Sequence, residues 1–140
     1  MQDLRNLIEK INTEEGKRLA ENFRFMEEQK IKKTLGPNLW EQLKAALKAN
    51  CESVVNSSPS QLEYNESGIY RVTITDPRTG RSAVLNYDDQ VPCVFYKTPS
   101  DKDHMAFRVS ADGNSVQLLI KGIPRSLDEI AMVIVSQVLG

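Results

Sequence analysis

Residues 70–87 read YRVTITDPRTGRSAVLNY, and this stretch decides the fold. Tyr70, Val72 and Ile74 alternate with Arg71, Thr73 and Thr75. A period of two sends neighbouring side chains to opposite faces, the pattern of a half-buried strand. Asp76-Pro77-Arg78-Thr79-Gly80 follows. Pro presets the first turn position and Gly accepts a left-handed one, so the segment reads as a hairpin loop. Setting Asp76 opposite Arg81 places Ile74 against Ala83, Val72 against Leu85 and Tyr70 against Tyr87. All three pairs are apolar or aromatic. The other face pairs Thr73 with Val84 and Arg71 with Asn86. A slip of one residue would invert both faces, so turn chemistry and hydrophobic pattern specify the same register independently.

A second hairpin lies downstream at Asp112-Gly113, a strong turn signal. It pairs Val109 with Val116, Phe107 with Leu118 and Met105 with Ile120 on one face. On the other face it pairs Arg108 with Gln117, Ala106 with Leu119 and His104 with Lys121. A strand over about residues 91–97 joins the two hairpins, with Pro92 suited to its start. Its run Cys93-Val94-Phe95-Tyr96 is apolar on both faces and leaves the register open. Residues 61–64 suit an edge strand. Short connections favour a meander.

Upstream the period becomes helical. Leu4, Ile8, Ile11, Leu19, Phe23 and Met26 fall on one stripe, and Phe25 lies off it. Asn12 with Glu15 suggests a capping box and a break there. Leu35-Gly36-Pro37 reads as a helix end, because Gly suits the left-handed C′ position and Pro cannot continue the ladder. Asn38 then caps a second helix with Trp40, Leu43, Leu47 and Val54 on one face, and a turn-rich linker at residues 56–60 ends it. At the other end of the chain, Ser126-Leu127-Asp128-Glu129 is a capping box. Residues 130–139 are apolar almost all round, which predicts a helix buried on more than one side.

The expected fold is therefore two-layer α+β: N-terminal helices, a five- or six-stranded antiparallel meander sheet, and a C-terminal helix packed on one sheet face. One domain spans residues 1–140, with helices over 1–57, the sheet over 60–121 and the last helix over 126–139. Tyr70, Val72, Leu85, Phe107, Leu118 and Ile120 form the core face. The last helix and the Trp40 helix fill that face, which leaves the first helix as an arm.

Composition bounds the function. The chain has 140 residues, 40% apolar and 26% charged, in the range of globular proteins. A net charge of −1 excludes gross attraction to nucleic acid or anionic lipid and leaves only local patches. No apolar run approaches the roughly 20 residues that cross a bilayer, and the start has no basic segment followed by an apolar one. Cys51 and Cys93 sit on different elements and form no CxxC, so they read as reduced, buried thiols in a cytoplasmic setting.

The chain carries no GxGxxG, GxxxxGK[ST] or GxSxG motif. One His and two separated Cys do not make a four-ligand zinc site, so neither metal nor cofactor is expected. Asp103-His104 would act as an oriented general base only if the carboxylate faced the ring, and adjacent strand residues point to opposite faces. Asp88-Asp89 reads as a turn. The charge distribution is more informative. Between residues 69 and 121 every acid is an Asp at a predicted turn or strand end, whereas Arg71, Arg108 and Lys121 lie on the polar sheet face. With His104 and Gln117 they form the candidate site for a small anion or an acidic peptide. Few aromatic residues can be assigned to this face for stacking, so nucleic acid is not expected. The leading functional reading is a non-enzymatic interaction module that forms a homodimer, or holds a protein partner, through its helices. The alternatives are a binding domain for a small anionic or amphipathic ligand, and an enzyme built on His104, Cys93 or the arginines.

Overall fold

The computed structural model describes residues 2–57 and 61–140. The elements are α1 (Gln2–Ser57), β1 (Glu63–Glu66), β2 (Arg71–Asp76), β3 (Arg81–Asp88), β4 (Cys93–Lys97), β5 (Lys102–Val109), β6 (Val116–Ile120), β7 (Ile123–Arg125) and α2 (Leu127–Leu139). The chain divides into two compact units, Met1–Lys30 and Ile31–Gly140. Residues 58–60 of the expected linker, and the Ile8 and Ile11 side chains of the expected stripe, lie outside the described residues.

Residues 2–30 are the first part of α1. The expected break at Asn12-Thr13 is not there: Thr13 Oγ1 donates to the Glu9 carbonyl at 2.9 Å, a bond within a continuous helix. Leu4, Leu7, Leu19, Phe23, Phe25 and Met26 are all exposed.

In residues 31–140 the sheet is a seven-stranded antiparallel meander in the order β1 to β7. This exceeds the five or six strands expected. Both hairpin registers are as the alternation requires, from Arg71 opposite Asn86 to Asp76 opposite Arg81, and from Met105 opposite Ile120 to Val109 opposite Val116. The extra edge strand β7 was not legible because Gly122 and Pro124 read as breakers. Gly122 instead takes φ +78° in a tight turn, and Pro124 sits on an edge, where its missing donor costs no ladder bond. Lys121 adopts φ +53° in that turn, so the expected His104–Lys121 pair does not form.

Val72, Ile74, Ala83, Leu85, Val94, Met105, Phe107 and Leu118 form the buried face of the sheet. Tyr70 was expected among them but precedes β2 and is 40% exposed. Ile120 is only partly buried.

The helix does not stop at Gly36-Pro37. Pro37 lies inside α1. A proline in a helix interior costs about 3 kcal/mol through its missing donor and a ring clash. Immediately beyond it, Trp40, Leu43, Leu47 and Cys51 are almost fully buried at helical spacing. Burying one large apolar side chain is worth roughly 1.5–3 kcal/mol, so this face outweighs the local penalty several times over. Gly36 is likewise no cap. A Cβ there would come within 2.7 Å of Tyr87 Oη and 2.9 Å of Phe107 Cε2, so glycine is what lets the helix backbone lie against these rings. Gly36→Ala is expected to cost about 1–3 kcal/mol in urea melts by overpacking. Gly16→Ala, whose Cβ would meet nothing within 4 Å, should not destabilise.

α2 begins as expected: Ser126 Oγ accepts the Glu129 N–H at 3.1 Å. Its last carbonyls are satisfied by a side chain from the sheet. Arg81 donates from Nη2 to Gln137 O at 2.9 Å and from Nε to Val138 O at 3.2 Å. Ile130, Ala131, Ile134, Val135 and Val138 are buried against the sheet. Met132 and Val133 are 57% and 46% exposed, so within this chain α2 is covered on one side.

Candidate functional site

The face of the sheet away from the helices is built by the other half of each alternation. The register aligns Arg71, Asn86, Phe95 and His104 across β2, β3, β4 and β5. A second row aligns Asn65, Thr73, Val84, Lys97 and Lys102. The open register of β4 is thereby resolved: Val94 and Tyr96 point into the core, and Phe95 stands on the outer face, 45% exposed. Its ring centroid lies 6.1 Å from that of His104, tilted by 47°. This residue was missed because a strand apolar on both faces carries no period to read.

The five residues expected to share a site are only partly brought together. Arg71 and His104 share a row but are three strand spacings apart, roughly 14 Å. Arg108 and Gln117 face each other, and Arg108 Nη2 donates to Gln117 Oε1 at 2.8 Å. Lys121 leaves the group, since its ammonium pairs with Asp101 at 3.0 Å. That bond holds the Asp101 carboxyl below the usual carboxylate range and raises the Lys121 pKa.

His104 is better oriented than alternation predicts. The Asp103 Oδ1 accepts the His104 backbone N–H at 2.8 Å and lies 3.3 Å from His104 Nδ1. The carboxylate, near the start of β5, folds back onto its neighbour in the strand, which the simple opposite-face argument misses. Asp88 behaves as a turn residue: its Oδ1 accepts the N–H groups of Gln90 and Val91. Among the described residues no group of three or more His, Cys, Asp and Glu side chains is placed to hold a metal, and no helix is long and apolar enough to cross a membrane.

Lys44 is a buried cation that sequence patterning did not flag. Its ammonium lies 2.9 Å from Glu41 and 3.7 Å from Glu66, and 5.9 Å from the Trp40 ring centroid. It also donates to Ile69 O at 3.5 Å. These contacts satisfy the charge within the fold and mark it as structural. An open cavity of about 430 Å³ lies nearby, lined by Lys48, Cys51, Glu52, Val55, Leu62 and Tyr64.

Neither thiol is activated. Both cysteines are free and buried. Burial, with a smaller contribution from Glu52, pushes the Cys51 thiol from 9.0 up to about 11, and burial also raises Cys93. A nucleophilic cysteine needs the opposite shift. Burial likewise pushes the Tyr87 and Tyr96 phenols from 10.0 to about 12. Each group keeps its proton in the folded state at a pH where the unfolded chain has lost it. Their contribution is complete below about pH 9 and falls as pH rises toward 11 and 12. Urea midpoints should therefore decline above about pH 9, and Cys51→Ala should flatten the first part of that decline.

No family model, no curated protein and no solved structure matches the chain.

Proposed function

We propose that the protein is a non-enzymatic interaction module that self-associates through the N-terminal part of α1. The observation that carries this reading is the exposure of that segment: Leu4, Leu7, Leu19, Phe23, Phe25 and Met26 are each 53–68% exposed. A lone helix gains most of its stability from packing apolar side chains, and this segment has six large ones to bury, Phe25 among them although it lies off the main stripe. The occupant is a second copy of the same segment. Residues 1–30 hold seven acidic and six basic side chains interspersed along the helix, so two copies meet without net repulsion and with opposite charges in reach. A two-fold pairing presents the same patch from both chains, so no further surface is needed. The helical residues 2–30 extend about 44 Å, long enough for an interface of standard size.

Sedimentation of the full chain from low to high micromolar concentration tests this. A concentration-dependent dimer is expected, and Leu19→Ser with Phe23→Ser should weaken it at least tenfold while leaving the urea midpoint of residues 31–140 unchanged. A monomer at high micromolar concentration overturns the reading.

A further inference from the structure

We infer that the outer sheet face is a binding surface for single-stranded nucleic acid, with a base on Phe95 and phosphates on the lysines beside it. The inference is independent of self-association and begins with Lys97 and Lys102. They are directly paired across β4 and β5, and both are exposed. Like charges at directly paired positions destabilise a sheet. Their row offers no acid to relieve them, since its other members are Asn65, Thr73 and Val84. An anion seated between the two ammonium groups removes the repulsion.

The next row supplies the aromatic partner. Phe95 is two residues from Lys97 on the same face, about 7 Å along the strand. Its exposed ring, with the His104 imidazole beside it, forms a stacking platform next to the paired cations. Asp103 holds the imidazole from one side. Aromatic rings interleaved with cations are how sequence-tolerant single-strand binders work. Arg71 continues the Phe95 row, and Arg108 lies six residues beyond Lys102 on β5, roughly 20 Å away, so cations extend the surface in two directions. Gln117 holds the Arg108 guanidinium in place. An acidic peptide would use the cations but leave the ring unexplained, and the ring decides in favour of a nucleobase.

The register of β4 gives this face a ring, Phe95, that the two-sided apolar run of the strand hid from sequence. The net charge of −1 still implies weak, salt-sensitive binding.

The test is fluorescence anisotropy with a labelled oligothymidylate at low salt, with a glutamate-rich peptide as comparator. The oligonucleotide should bind, and the affinity should fall steeply with added salt. Phe95→Ala should weaken binding about tenfold or more, and Lys97→Glu with Lys102→Glu should abolish it. Circular dichroism should show both variants folded, as expected for exposed positions. Unchanged binding in the folded Phe95→Ala protein, no binding at low salt, or tighter binding of the peptide than of the oligonucleotide would each overturn the inference.

Discussion

Phe107→Ala is expected to lower the unfolding free energy by about 3–5 kcal/mol. Phe107 is 4% exposed and sits at the centre of the sheet's buried face. It faces Leu118 on β6, and its ring centroid lies 6.1 Å from that of Tyr87. Truncation removes the ring from a dry, packed setting and leaves a cavity that strands pinned on both sides cannot close. Gly36 of α1 lies against the same ring, so the loss extends to the helix seat. Arg108, one residue on, points to the other face and donates to Gln117. Arg108→Ala should cost well under about 1 kcal/mol. Urea melts of the two variants separate the faces directly, and equal losses would show that the strand is not amphipathic in solution.

Trp40→Ala should be as severe, at about 3–5 kcal/mol. Trp40 is 1% exposed and stacks on Tyr87 at a centroid separation of 5.8 Å with planes 15° apart. Its Nε1 donates to Ile69 O at 2.7 Å, tying α1 to the segment before β2. Trp40→Phe keeps most of the ring burial and loses that bond. The cost should then fall to roughly 1 kcal/mol, because Lys44 Nζ still lies 3.5 Å from the same carbonyl. Near-equal losses from the two substitutions, measured by urea melts, would mean that the hydrogen bond and not the packing holds the helix in place.

The hairpins at residues 70–87 and 105–120 were legible to the pair because three local signals agree there: turn residues, alternation and cross-strand size. The capping box at Ser126 was legible for the same reason, since a cap is made by neighbours in the chain. The candidate site was only half legible. Alternation put Arg71, His104 and Arg108 on one face, as found, but it could not report that Lys121 turns away to Asp101 or that Phe95 joins the face. The first depends on the backbone angle of one residue after the strand, and the second on a strand whose two faces are equally apolar.

Local chemistry determined the class of the protein: an antiparallel meander between helices, with apolar and basic faces already separated along each strand. Tertiary structure decided what Gly36-Pro37 means. Locally it is a stop signal worth about 3 kcal/mol. In the fold it is outweighed by the burial of Trp40, Leu43 and Leu47, and the glycine becomes the point where α1 approaches Tyr87 and Phe107. Burial is summed over residues distant in sequence, such as Trp40 and Tyr87, so no window along the chain contains that sum. The same physics left α2 exposed at Met132 and Val133. An apolar helix declares how much it can bury, and only the assembled sheet sets how much of it is covered.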